Sequence, residues 1–115
     1  MAALNDLTWQ QLADQLPANS ITVVSGKVTI DVSVAAGITA DAMTDTGVVK
    51  FFSFLFTAAN KAQITANATQ AQGEKLAAFS PATIGSNADG YITLTRPFVC
   101  RSELATATNI IGTNS

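Results

Sequence analysis

The stretch VVKFFSFLFTAAN, residues 48–60, decides the fold of this 115-residue chain. At 100° per residue its apolar side chains fall on one broad arc, formed by Val48, Phe51, Phe52, Leu55, Phe56 and Ala59. The opposite arc is polar and carries Lys50, Ser53, Thr57, Asn60 and, one residue further on, Lys61. A β-strand does not fit, because the pairs Phe51-Phe52 and Leu55-Phe56 would each straddle both faces. The stretch therefore predicts an amphipathic helix.

The far end of this helix is open to two interpretations. The pattern weakens but extends to Gln72, and Gly73 is a stop signal. A continuous helix over residues 45–72 would be about 40 Å long, whereas a domain of this length has a radius of gyration of about 13 Å. We therefore expect either a break near residues 65–67 or a helix that projects from its own core and lies against another copy.

Phe54 lies on the polar side of the predicted helix, beside Lys50 and Lys61. One interpretation is that a β-hairpin covers this ring. The other is that Phe54 contacts a partner subunit, since aromatic side chains are enriched in interfaces.

The start of the helix is predicted from its polar residues. Thr44, Asp45 and Thr46 all favour the N-cap position, where a side-chain oxygen accepts a free backbone N–H. Asp45 would also complement the helix dipole. Asp41 is a second possible cap if the helix begins earlier.

The segment ITVVSGKVTIDVSV, residues 21–34, predicts a β-hairpin. A two-residue turn at Ser25-Gly26 pairs Val24 with Lys27, Val23 with Val28 and Ile21 with Ile30. In that register one face carries Ile21, Val23, Val28, Ile30, Val32 and Val34. The pattern therefore predicts that the second strand continues to Val34.

A short helix and a second hairpin complete the predicted elements. Residues 5–16 predict the helix, since Trp9, Leu12, Ala13 and Leu16 form one stripe and Pro17 ends it. Residues 75–79 and 91–101 predict the second hairpin, with a loop at residues 86–90 that we interpret as a β-turn.

Arg96 shares the parity of the apolar residues in the second strand, and two interpretations follow. A bulge at Pro97, which cannot donate to a ladder, would turn Arg96 outward. Alternatively, Arg96 points inward and holds an anion.

These elements predict an α+β fold: an N-terminal short helix, a β-hairpin, a long amphipathic helix and a second β-hairpin. The long helix is expected to pack on one face of an antiparallel sheet. We expect residues 1–104 to form a single domain and residues 105–115 to be a flexible tail.

Two short motifs resemble the retroviral aspartic proteases. Asp45-Thr46-Gly47 matches the D-T-G that carries the catalytic aspartate, and Ile110-Ile111-Gly112 is similar to a downstream element of that family. The resemblance implies a one-aspartate subunit that dimerises to form a pair sharing a proton. Residues 48–72 depart from it, because they contain no glycine for a flap and are patterned as a helix.

Other chemistries have no support in the sequence. Because the chain has no histidine and one cysteine, Ser-His and Cys-His pairs and the usual zinc ligands are excluded. The loop at 86–90 only partly matches a calcium-binding loop, since Gly85 and Arg96 stand at ligand positions. We therefore expect no catalytic, metal or cofactor site and no cofactor.

Charge and composition favour self-association. Charged residues make up 12% of the chain, against about 25% in ordinary soluble domains, so copies repel one another weakly.

The net charge is −2 and the six basic residues are scattered, which argues against nucleic acid as a partner. No apolar run is long enough to span a membrane, and the N-terminus lacks a signal-peptide pattern.

The expected function is a non-enzymatic structural or interaction protein that forms a homo-oligomer in the cytoplasm. One alternative is a small ligand- or anion-binding module around Arg96. The other is the protease-like subunit around Asp45.

Overall fold

The computed structural model describes residues 5–85, 89–102 and 110–113. Within them the chain has an α+β fold, as predicted: a short helix, antiparallel β-hairpins and a long helix that packs against one of the hairpins. In chain order the elements are α1 (Trp9–Ala13), β1 (Ile21–Val24), β2 (Lys27–Ile30), α2 (Val32–Ala36), α3 (Val48–Asn67), β3 (Thr83–Ile84), β4 (Leu94–Thr95), β5 (Arg101–Ser102) and β6 (Ile110–Ile111).

The long helix α3 ends at Asn67, after 20 residues. It is therefore about 30 Å long, and the break near residues 65–67 is the correct one of the two alternatives. Helices α1 and α2 both pack against α3. On its buried side α3 presents alanines at positions 58, 59 and 62, whose small side chains let neighbouring backbone approach closely.

The start of α3 differs from the prediction. Its N-cap residue is Gly47, and no side chain caps the helix. Asp45 instead accepts backbone N–H groups from Asp41 at 2.7 Å and Ala42 at 3.1 Å, so its carboxylate closes the preceding loop. Glycine is required at position 47 because φ is +139° and a Cβ there would lie 2.7 Å from the Cγ2 of Ile38.

The first hairpin has the predicted register, with Ile21 opposite Ile30, Val23 opposite Val28 and Val24 opposite Lys27. Ser25 and Gly26 have φ of +51° and +77°, as a tight two-residue hairpin turn requires. The pair β1–β2 is a separate two-stranded sheet.

The predicted continuation of this strand to Val34 is wrong, because Val32–Ala36 is helix α2. Asp31 caps it by accepting the backbone N–H groups of Ser33 and Val34, and it also accepts the Ser33 hydroxyl at 2.8 Å. These hydrogen bonds, the Ser33 hydroxyl foremost, lower the pKa of the Asp31 carboxyl below its ordinary value. The chain leaves α2 through Gly37 in the left-handed region.

The second hairpin is more irregular than predicted. Its strands are β3 and β4, and an isolated bridge joins Phe79 to Phe98. Phe79 pairs with Phe98 and Thr83 pairs with Thr95, so three residues, 80–82, lie opposite two residues, 96 and 97. The extra residue forms a bulge, which therefore lies on the strand opposite Pro97. Residues 75–79, predicted as a strand, are not a regular strand: Phe79 makes the isolated bridge, and side chains of α3 hydrogen bond to the backbone of Leu76 and Phe79.

The predicted tail, residues 105–115, is described only at residues 110–113. There β6 pairs with β5, placing Arg101 opposite Ile111. Gly112 is buried, and the carbonyl of Thr113 accepts the N–H of Ala77 at 2.8 Å. These four residues are therefore part of the folded unit. Predictions for residues 103–109 and 114–115, and for loop residues 86–88, lie outside the described residues.

Candidate interaction surfaces

A cleft of about 360 Å³ lies between α1, α3 and the second hairpin. We call it the aromatic cleft. Its lining residues are Asp6, Leu7, Thr8, Trp9, Leu12, Phe52, Leu55, Phe56, Ala59, Ala78, Phe79, Phe98, Cys100, Ile111 and Gly112. The cleft brings together the apolar stripe of the first helix and the apolar arc of the long helix. The sequence pattern predicted each of these two apolar surfaces but not their contact.

Phenylalanine rings form one wall of the aromatic cleft. Phe56 lies 6.0 Å from Phe79 and 5.9 Å from Phe98 between ring centroids, and Phe79 lies 5.2 Å from Phe98. Phe52 continues the row along α3, 6.2 Å from Phe56. Such ring contacts, three tilted and one stacked, stabilise the wall beyond the area they bury.

The aromatic side chains at the mouth of the cleft remain open to solvent. Trp9 is 51% exposed, Phe52 47% and Phe98 50%. Scattered exposed apolar residues are ordinary, but a contiguous aromatic patch around a groove marks an interaction surface.

The polar groups at the rim are engaged locally. Thr8 and Gln11 form a reciprocal capping box that starts α1. Asp6 accepts the backbone N–H of Leu7 at 2.7 Å. Its carboxylate is the only charged group in the lining, which contains neither lysine nor arginine among the described residues.

A second apolar surface is the tip of the first hairpin, residues 23–28, which we call the hairpin tip. Val23 is 56% exposed, Val24 68% and Val28 36%. Because side chains alternate along a strand, Val23 and Val28 point to one face and Val24 to the other. One face of the hairpin tip therefore carries exposed Val23 and Val28, and the other carries exposed Val24 with Lys27 opposite it.

The D-T-G motif lies at the entrance to α3. Asp45, Thr46 and Gly47 line a small recess of about 160 Å³ together with Ile38 and Phe51. The Asp45 Oδ2 atom accepts two backbone N–H groups, and the chain after Gly47 is helical. The motif thus has a local structural role in closing the loop over residues 41–45.

Arg96 points toward the long helix. It is half-buried, and its Nε donates to the Ser53 hydroxyl at 3.0 Å. Of the two orientations considered from the sequence, the inward one agrees with this contact.

Phe54 is 47% exposed, and the Lys50 ammonium lies 5.9 Å from its ring centre, so the second hairpin does not fully cover that ring.

Among residues 5–85, 89–102 and 110–113, no three His, Cys, Asp or Glu side chains come together as metal ligands. Within those ranges, too, every helix is either too short or too polar to cross a bilayer.

Sequence reasoning missed one structural site on α3. Asn60, Gln63 and Asn67 point at residues 76–79 and hydrogen bond to their backbone. Their spacing of three and four residues could have indicated a polar stripe, but it resembles an ordinary solvated face.

In comparisons with protein families, curated proteins and solved structures, none matches this chain.

Proposed function

We propose that this chain is a non-enzymatic structural or interaction protein that works as a homo-oligomer. The observation that carries the proposal is the open aromatic cleft, whose rings at positions 9, 52 and 98 remain about half exposed. Burying such rings against another molecule releases their hydration, which is the main favourable term in protein association.

The core of the chain supports the same proposal. The buried apolar side chains of the described residues are all alanines except one: Ala35, Ala36, Ala58, Ala59, Ala62, Leu76 and Ala78. All eight aromatic side chains keep some solvent exposure. The bulky apolar residues therefore lie around the small-residue core and are available to a partner.

The surface area points the same way. The chain exposes 8213 Å², whereas a compact monomer of its mass exposes about 5,900 Å². Its radius of gyration is 16.2 Å, compared with about 13 Å for a compact domain of this length. The excess of about 2,300 Å² is larger than the area that a standard interface takes from one partner, about 800 Å².

The test is the molar mass in solution, measured by light scattering after size exclusion at micromolar concentration. We expect a multiple of the chain mass of 11.9 kDa. A mass of one chain at that concentration would refute the proposal.

A matched pair of variants locates the contact. Phe52 and Phe54 are both on α3 and both 47% exposed, but only Phe52 lines the cleft. Phe52→Lys should lower the measured mass, and Phe54→Lys should not. If only Phe54→Lys dissociates the protein, association uses the opposite face of α3.

An anion-binding module is the second candidate, and the inward position of Arg96 favours it. The Ser53 hydroxyl accepts from Arg96 and retains its own proton to donate, so the two side chains could hold one anion together. Titration calorimetry with inorganic phosphate should then show binding that Arg96→Ala removes and Arg101→Ala keeps. Absence of binding by the parent protein would dismiss this candidate.

A further inference from the structure

We infer that copies of this chain associate head to tail, with the hairpin tip of one copy inserted into the aromatic cleft of the next. This inference rests on the proposed homo-oligomer and specifies which surfaces meet. It assigns two of the uncovered apolar surfaces of the described chain to each other.

The shape of the hairpin tip favours a cleft over a flat surface. Val24 points to one face, and Val23 and Val28 point to the other, all three being exposed. Docking on a flat patch would cover one face only, whereas insertion covers both. The tight turn at Ser25-Gly26 also keeps the tip narrow, because only two residues connect the strands.

The stability of an isolated hairpin gives a second reason. A two-stranded hairpin is marginal in water without a surface to pack on, and β1–β2 has no third strand beside it in the described sheets. A neighbouring copy that clasps the tip supplies that surface.

Charge is complementary between the two surfaces. The hairpin tip carries Lys27 and no acidic residue, and the cleft carries Asp6 and no basic residue among those described. An ion pair between copies would orient the inserted tip, although such rim pairs contribute more to specificity than to affinity.

The exposed area agrees with two different patches on each copy. In a head-to-tail assembly every chain donates a tip and accepts one, so it loses about 800 Å² twice. That loss of about 1,600 Å² fits within the excess of about 2,300 Å². A head-to-tail contact closes into a ring or continues as a filament, depending on the rotation between copies.

The native cysteine makes a direct test possible. Cys100 is the only cysteine of the chain, is exposed and lines the cleft. Val24→Cys places a second thiol on the hairpin tip. Mild oxidation of the full-length variant should then join successive copies into a covalent ladder beyond the dimer on a non-reducing gel.

Two controls accompany this experiment. The parent protein, with one thiol, can form at most a covalent dimer. Val49→Cys moves the second thiol to another exposed valine, 83% exposed and outside both surfaces, and should also stop at the dimer. A ladder from Val49→Cys equal to that from Val24→Cys would overturn the inference.

A second measurement does not depend on the reach of a disulfide. Val24→Glu should weaken association by at least about tenfold, the effect of losing one buried valine, while Val49→Glu should leave it unchanged. Fluorescence of Trp9, the single tryptophan, should shift to the red on dilution of the parent protein as the cleft empties.

The outcomes separate the inference from the proposed function. A multimeric mass that Val24→Glu leaves intact overturns the hairpin-in-cleft contact and keeps the homo-oligomer. A single-chain mass for the parent protein overturns both.

Discussion

The side chain of Gln63 pairs with the backbone of Phe79 as a neighbouring β-strand would. Its Nε2 donates to the Phe79 carbonyl at 2.8 Å, and its Oε1 accepts the Phe79 N–H at 3.0 Å. One turn later Asn67 does the same to Leu76, at 2.8 and 2.7 Å. Asn60 adds a donor to the Phe79 carbonyl at 2.9 Å. Side-chain amides of α3 thus replace a strand along residues 76–79.

Gln63→Leu should destabilise the protein by about 1–3 kcal/mol, because it leaves the part-buried N–H of Phe79 without its acceptor, while the Phe79 carbonyl keeps Asn60 as a donor. Chemical denaturation followed by circular dichroism measures the change. Gln72→Leu, at an exposed position beyond the helix, serves as the control and should change stability by less than about 0.5 kcal/mol. Equal effects from the two variants would show that the amide pairing contributes little.

Gly47→Ala should cost more than Gly37→Ala. Both residues have positive φ, but a Cβ at position 47 would also meet Ile38 at 2.7 Å, while position 37 has open space. We expect about 1 kcal/mol from the backbone at Gly37 and about 2–3 kcal/mol in total at Gly47. The variant Ile38→Ala should remove part of the extra cost in the Gly47→Ala background, as a double-mutant cycle by thermal unfolding would reveal.

Gly112→Ala should detach the N-terminal segment from the end of the chain. A Cβ there would lie 2.5 Å from the Asn5 carbonyl oxygen and 3.3 Å from the Asp6 Cα, both backbone atoms that cannot rotate away. The expected readout is a red shift of Trp9 fluorescence together with lower stability. Gly85→Ala is the matched control, since its nearest neighbour is a Thr93 side-chain atom at 3.2 Å. No change in Trp9 emission would contradict the close packing at Gly112.

The Asp31 cap should make stability depend on pH in the acid range. Its pKa is lower in the folded chain than its ordinary value of 3.8. The charged carboxylate therefore stabilises the fold above that value, and the contribution is lost as the pH falls through the folded pKa. Thermal unfolding between neutral pH and pH near 2.5 should show a smaller acid loss for Asp31→Asn than for the parent. Ser33→Ala, which removes the principal hydrogen bond to this carboxylate, should reduce the dependence in the same direction.

Asp45→Ala should lower stability by about 1 kcal/mol, because the N–H groups of Asp41 and Ala42 lose their acceptor. Asp45→Asn keeps one acceptor oxygen and should cost less. If the proposed non-enzymatic role is correct, the parent protein cleaves no peptide substrate at acidic pH. Cleavage that Asp45→Asn abolishes would instead support the protease-like alternative.

Local signals in the sequence predicted the fold where they agreed with one another. In the first hairpin the turn at Ser25-Gly26 and the alternation of valines indicated the same register, and the structure has it. At Val32 and Val34 the alternation of apolar residues wrongly predicted a strand. Helix α2 is only five residues long, and its N-cap, Asp31, fitted the pattern of an outward-facing strand residue. Short helices give too few turns for a period of 3.6 to be recognised.

The surfaces were less predictable because they depend on contacts distant in sequence. Trp9 and Phe98 line one cleft although 89 positions separate them, and no local pattern relates them. The N-cap at Gly47 was missed for a similar reason. Three good capping residues precede it, but the close approach of Ile38 requires a glycine at the helix entrance.

The amide groups of α3 also have a consequence for unwanted aggregation. Because they occupy backbone donors and acceptors of Leu76 and Phe79 on the helix side, a foreign strand finds no vacant hydrogen-bonding row there to extend. The addition of further strands at this edge is therefore blocked without the prolines or charges that proteins often place on edge strands. The chain can therefore have a largely uncharged surface and still resist amyloid-like strand pairing along residues 76–79.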